Sequence, residues 1–235
     1  ASFVGLNPLH ALFAQQPEVA SPYSPSSRDA LNALYIDVQS LVDSSDNSAL
    51  RLHVDSVAFQ QRLAALRATD MVDYAGVAAV KTEVLEVLWQ HFRTTHLAQG
   101  TDTAQVFYTF VQTQGAALRQ HALFEALQAH FFAADPTVWG WPAWPAAYRD
   151  IHGAFADRQA LLKVQFAKQH AERVDYFLWL QWLADQQLAA AQAHARALGM
   201  GLGLYRDLAV GVNEGGSDTW AQPQMYALGM YVGAP

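Results

Sequence analysis

Cysteine is absent from the 235 residues, which excludes a disulfide framework and any thiol chemistry. That absence fits a reducing compartment, and the cytoplasm is the expected location. Positive charge is scarce: 14 Lys and Arg stand against 21 Asp and Glu, for a formal net charge of -7. Phosphate binding needs a basic surface, so no nucleic acid partner is expected. No run of like charges marks a membrane-surface patch or an acidic tail. The longest apolar stretches, such as Tyr176 to Leu183, are broken by Gln181 and closed by Asp185. They fall short of the about 20 residues that a spanning helix needs, so no membrane is expected.

Several reactive signatures are missing as well. No Gly-x-Ser-x-Gly elbow follows an apolar run, which leaves serine catalysis without its local geometry. The histidine pairs 91/96 and 121/130 lack metalloprotease spacing and a companion glutamate, and read as helix-surface or half-buried side chains. Asp43 to Asn47 is rich in oxygen but lacks the glycine and distal glutamate of a calcium loop, so it reads as a turn or helix start. Gly211, Gly215 and Gly216 lack the Lys-Ser/Thr pair of a phosphate loop. None of these stretches reads as a metal site.

What is present is apolar and aromatic: 52% hydrophobic against 15% charged residues excludes disorder, and 7 Trp, 9 Tyr and 12 Phe form a heavy aromatic load. Most of it is expected in the core, although such rings also build sugar-stacking surfaces. Gly203 to Val212 is an apolar run with the Arg206-Asp207 pair at its centre. It reads as a buried strand carrying a working or heavily paired carboxylate at its end. Phe3 to Leu6 reads as a second buried strand, closed by Asn7-Pro8. Both termini read as cuts through a larger protein, because the chain starts as if inside a strand and stops without a cap.

Between these strands the pattern turns helical. Pro17, Pro22 and Pro25 forbid helix in the serine-rich stretch that follows the first strand. Tyr23, held there between prolines and hydroxyls, suits a site better than a linker. Leu34 to Val38 reads as a short strand. Helices are expected from Val57, over Val77 to Phe92, over Asp102 to Gln114 and Gly115 to Phe132, and from about Phe155 to Leu198, where Gly199 ends the run. Trp139, Trp141 and Trp144 sit among glycine and prolines in a stretch that cannot be helical. No internal repeat occurs. A strand, a long helical passage and a second strand make an α/β chain, mostly helical by residue count, with a helical insertion between two strands of a parallel barrel or sheet.

Glycoside chemistry is one reaction these residues leave open. Its retaining form needs two carboxylates about 5 Å apart. Asp207 is the one strong candidate, and it can equally pair with Arg206 or cap its own loop. Glu214 and Asp218 read as solvated loop residues.

Longer motifs narrow this. Gly5-Leu6-Asn7-Pro8-Leu9-His10-Ala11-Leu12-Phe13, Ser21-Pro22-Tyr23-Ser24-Pro25-Ser26-Ser27-Arg28, Leu31-Asn32 and Tyr35-Ile36-Asp37-Val38 resemble the N-terminal part of the 4-α-glucanotransferases, the amylomaltases or disproportionating enzymes of glycoside hydrolase family 77. Val72-Asp73-Tyr74, Trp139-Gly140-Trp141-Pro142, Phe177 to Ala184 and Gly203 to Val212 are similar to the same family in the same order. The resemblance implies a partial (β/α)8 barrel with helical insertions. Its segments would be residues 1–40 (barrel strand and substrate loop), 41–154 (helical insertion) and 155–235 (barrel helix, strand with Asp207 and following loop). It implies substrate-binding roles for Ser21, Tyr23 and Asp207, with the Tyr23 ring against a glucose face and Asp207 shaping the site without acting as nucleophile.

The family's nucleophile, acid/base and third carboxylate motifs are absent here, so the catalytic residues are expected beyond Pro235 and the chain alone is expected to be inactive. Asn32-Ala33 replaces the usual Asn-Pro, and Asn213 stands where Asp is common. The implied partners are α-1,4-glucans and maltooligosaccharides, with self-association expected of an open barrel piece. The alternative is a non-catalytic α-glucan-binding or helical interaction module, motivated by Trp139, Trp141 and Trp144, although packing of the insertion against the barrel is the expected use of those indoles.

Overall fold

The computed structural model describes residues 1–149 and 156–230. The chain opens with β1 (Phe3–Leu6), β2 (His10–Ala11) and β3 (Ser27–Leu31). Seven short and long helices cover the middle: α1 (Val38–Ser44), α2 (Ser48–Val54), α3 (Val57–Arg67), α4 (Tyr74–Phe92), α5 (Asp102–Ala134), α6 (Ala146–Arg149) and α7 (Ala156–Gln169). Then come α8 (Ala171–Ala197), β4 (Gly203–Arg206) and α9 (Ser217–Ala221). β1 pairs with β4 in parallel, Phe3 opposite Gly203 and Leu6 opposite Arg206. β2 pairs with β3 antiparallel. The helical insertion between two parallel strands is therefore real.

The helices form for local reasons that the sequence displays. Side-chain oxygens cap five of them: Asp37 accepts from Ser40 N, Asn47 from Leu50 N, Ser56 from Phe59 N, Asp73 from Gly76 N and Thr101 from Ala104 N. Each such cap satisfies one of the four orphan N–H groups of a helix start and is worth about 1 kcal/mol. In α4, Val80, Val84, Leu85, Leu88 and Trp89 make one buried stripe. The stripe meets α8 and α5 in an aromatic centre where Trp89, Phe92, Phe107, Trp179 and Trp182 sit ring to ring.

Several expectations change. Leu34 to Val38 is not a strand: Ala33–Tyr35 is a 3-10 turn with Leu34 N bonded to the Asn32 side chain, and Asp37 starts α1. Two side-chain acceptors offered to the backbone outcompete the short apolar run. The serine-rich loop hides a strand, β3, whose backbone is claimed at Leu31 by Gln181 of α8 through bonds of 2.8 and 2.7 Å. Gln187 grips Asp37, and Gln192 grips Leu202 and Leu204, in the same manner. The two helices expected on either side of Gly115 run on as α5 across a kink at that residue, which has φ 69° and ψ -141°. The second helical block divides at His170 into α7 and α8, and its expected start at Phe155 lies outside the described residues.

The largest change concerns β1 and β4, which were expected to be buried. Phe3 is 48% exposed and Tyr205 63%, their rings touching at 5.6 Å. Parallel strands are apolar because they are normally covered on both faces, and a pair of strands leaves faces and edges open.

Gly115 yields a direct test. A Cβ there meets nothing within 4 Å, so Gly115→Ala adds no clash and only the strain of a side chain at positive φ. The expected cost is about 1 to 3 kcal/mol in a urea denaturation, with an unchanged m-value.

Candidate functional site

The parallel pairing of β1 and β4 delivers Asn7 and Asp207 to the same end of the pair. Asp207 N donates to Leu6 O at 3.0 Å, extending the ladder by one step. The β2–β3 hairpin folds the proline-serine loop over this end, and Tyr23 Oη donates to Asp207 Oδ2 at 3.2 Å across 184 positions of sequence. Asp207 Oδ1 accepts from Leu208 N at 2.8 Å. Of the two local fates open to Asp207, capping its own loop is the one it adopts. Arg206 makes no ion pair with it and acts instead on Asp185 and His10. Ser21 heads the same turn, its carbonyl accepting from Ser24 N at 3.3 Å.

Asp207 is exposed, contrary to the expected buried carboxylate, because the face of β4 that would cover it is open. Tyr23 is 55% exposed, and its hydrogen bond to the Asp207 carboxylate raises the phenol above its usual pKa. The two side chains present an exposed aromatic ring beside a carboxylate.

Asp218, which was expected to be solvated, is half-buried. Burial raises its pKa, and its Oδ2 accepts from Arg28 N at 2.8 Å. It belongs to a dense junction between the β3 side and the segment after β4. Ser26 Oγ accepts from Ser217 N and Ser26 O from Asp218 N, while Pro25 O accepts from Asn213 N. Arg28 Nη1 reaches Val210 O at 3.2 Å and Ala209 O at 3.4 Å, and His10 Nε2 accepts from Ala209 N at 3.2 Å. Glu214 is half-buried, and its carbonyl takes Trp141 Nε1 at 2.9 Å and Thr219 Oγ1 at 2.8 Å.

The three indoles work at this junction, as expected for packing. Trp144 is 1% exposed and its Nε1 donates to Gln128 Oε1 at 2.6 Å. Trp141 bonds the carbonyl of Glu214, and Trp139, 42% exposed, lies against Gly215, where an added Cβ would come within 2.4 Å of its ring.

Sequence reasoning missed one further pair. His121 and Glu125, four residues apart on α5, are both buried and line a cleft of about 410 Å³. Desolvation pushes the Glu125 carboxyl up to about 8 and the His121 imidazole down to about 4. His121 Nδ1 is hydrogen-bonded to Ser217 Oγ at 3.1 Å, whereas both Glu125 oxygens lack a partner. The α-helical i, i+4 spacing put them on one face, but nothing in the sequence said that this face was covered. Among the described residues no cluster of three or more His, Asp or Glu forms a metal site. No described helix is long and apolar enough to cross a membrane.

Residues 1–235 match the profile of the 4-alpha-glucanotransferases, glycoside hydrolase family 77. The chain belongs to this family. A 4-alpha-glucanotransferase of Haemophilus influenzae is 35% identical over 238 residues, covering 100% of this chain and 33% of that protein. One of Mycobacterium bovis is 33% identical over 249 residues, covering 100% and 30%. The chain thus spans about a third of the length of these curated relatives. Among solved structures, amylomaltase from Corynebacterium glutamicum superposes with a TM-score of 0.64 at 29% identity, over 96% of this chain and 27% of that one. Amylomaltase from Streptococcus agalactiae in complex with acarbose reaches 0.69 at 19% identity, over 96% and 39%. The fold is that of these 4-alpha-glucanotransferases: a partial (β/α)8 barrel, represented by β1 and β4, with a helical insertion between them. Barrel sites lie at the C-terminal ends of strands, the end at which Asp207 and Tyr23 meet.

Proposed function

We propose that this chain is the N-terminal part of the catalytic domain of a 4-α-glucanotransferase that moves α-1,4-glucan segments between maltooligosaccharides or onto glucose in the cytoplasm. The observation that carries the reading is the Tyr23–Asp207 contact at the strand ends of a chain that aligns over its whole length with glucanotransferases about three times longer. The segments 1–40, 41–154 and 155–235 are proposed as strand-and-loop, insertion and returning barrel unit. The 154/155 boundary and the Val232 to Pro235 end lie outside the described residues.

In the proposed double displacement, a carboxylate attacks the anomeric carbon while an acid protonates the departing glycosidic oxygen. The same acid/base then takes the proton of the acceptor hydroxyl as that oxygen displaces the carboxylate. Both reacting groups are assigned beyond Pro235. Ser21, Tyr23 and Asp207 are assigned to the sugar-binding wall, with Tyr23 stacking and Asp207 accepting from hydroxyls. The reaction calls for no cofactor.

The complete protein is expected to convert maltotriose into glucose and longer chains, whereas the 235-residue chain alone releases no glucose above a buffer blank. Glucose from the chain alone would overturn the placement of the reacting carboxylates. A standalone glucan-binding module draws no support from Trp141 and Trp144, whose indole N–H groups are bonded within the fold.

A further inference from the structure

Asp207 follows a strand that ends at Arg206, so the backbone beyond it needs holding by other parts of the fold. Its own amide is fixed on Leu6 O. Two residues on, Ala209 is fully buried, and its peptide is gripped from both sides. The N–H is accepted by His10 Nε2 at 3.2 Å, and the C=O takes Arg28 Nη1 at 3.4 Å, with Val210 O at 3.2 Å from the same nitrogen. His10 lies on β2 and Arg28 on β3, the hairpin whose connecting loop carries Tyr23. The two walls of the site are thus tied by residues whose hydrogen bonds here go to the backbone of Ala209 and Val210, while the Asp207 carboxylate takes Tyr23 Oη and Leu208 N.

We propose that His10 and Arg28 are positioning residues, which hold the 207–210 segment so that Asp207 stays in register with Tyr23 for glucan binding. The proposal rests on the function proposed above, and goes beyond it by assigning these two side chains.

The chemistry of the contact defines a signature. His10 can accept from Ala209 N only while Nε2 is unprotonated, with the ring proton on Nδ1. Burial lowers its pKa first, and the Arg28 and Arg206 cations add to this, against a backbone bond to Arg28 and the Asp218 charge. The imidazole is therefore kept as an acceptor at neutral pH. The bond is fully present above the ordinary histidine value and is lost as pH falls through the lowered one.

The test uses the complete protein with His10→Leu, which removes the acceptor, and His10→Gln, which keeps an oxygen acceptor that does not titrate. Without glucan at pH 8, hydrogen exchange at Ala209 is expected to be about ten-fold faster in His10→Leu and near wild type in His10→Gln. On acidification, protection at Ala209 relative to the average amide declines in wild type and not in His10→Gln. With maltotriose, kcat/KM falls about ten-fold in His10→Leu, mainly through KM, and recovers in His10→Gln. Unchanged exchange at Ala209 in His10→Leu, or a kcat/KM equal to wild type, overturns the proposal. If His10→Leu does not fold, Arg28→Met, which frees the carbonyls of Ala209 and Val210, is judged by the same two readouts. A wild-type protein without disproportionating activity sinks the proposed function, while the exchange arm still decides whether His10 holds the segment.

Discussion

Replacing Glu125 with methionine should stabilise the protein, and by a margin that widens as pH rises. The carboxyl is 4% exposed and both oxygens lack partners. At pH 5 it is neutral in the folded chain, and Glu125→Met should gain about 1 to 3 kcal/mol by removing unmet hydrogen-bonding groups while keeping a similar volume. Above that pH a second effect enters. Burial raises the folded-state pKa from 4.5 to about 8, with Arg173 opposing, so the folded chain holds a proton that the unfolded chain has released. Stability from this group is full below the unfolded value and is lost as pH rises through the folded one. At about 1.4 kcal/mol per unit, the wild type loses about 4 kcal/mol relative to the variant between pH 5 and pH 8. His121 has the opposite sign, its stability being lost as pH falls from 6.5 toward 4, and it cancels in the comparison because both proteins contain it. Denaturant unfolding at pH 5, 6.5 and 8 measures the margin, and a margin that does not change with pH would refute a buried, unpaired Glu125.

The second large effect is expected at Gly216. Its φ of -85° is ordinary, so glycine is required there by space. An added Cβ would lie 2.5 Å from Ser26 O and 2.7 Å from Ser26 Cα, backbone atoms that cannot rotate aside. Gly216→Ala must therefore push β3 away from α9, undoing Ser217 N to Ser26 Oγ and Asp218 N to Ser26 O. The expected loss is about 3 kcal/mol or more, combining overpacking with unmet buried groups. Gly201→Ala serves as the control, since a Cβ there meets nothing within 4 Å and should leave the unfolding midpoint within about 0.5 kcal/mol of wild type. Equal midpoints for the two variants would show that the junction is loose. The complete protein should also lose maltotriose affinity with Gly216→Ala, because the same junction fixes the loops of Tyr23 and Asp207.

Much of this molecule was legible from residues alone. The helical stripe of Val80, Val84, Leu85, Leu88 and Trp89 is the stripe that is buried, since a 3.6-residue period can place those side chains on one face only. Phe3–Leu6 and Gly203–Arg206 were readable as partner strands, and the helical passage between them as an insertion. Tyr23 and Asp207 were each singled out, and the structure brings them within a hydrogen bond. Legibility stopped at covering and at polar partners. β3 begins inside a stretch whose prolines and serines read as loop, and its strand form depends on β2 and on an amide side chain 150 positions away. Leu34 to Val38 failed the other way, its apolar run losing to the Asn32 and Asp37 caps.

By itself, the sequence determined the periods, the family and the identity of the two side chains that meet at the strand ends, because these depend on neighbours within a turn or on motifs in order. The tertiary structure alone decided which groups lose water. It left Asp207 open, covered Asp218 in part and enclosed Glu125, it turned His10 and Arg28 into holders of a distant backbone, and it made Gly216 a point of contact. Burial and long-range hydrogen bonding depend on what arrives from elsewhere in the chain, and no local pattern carries that information.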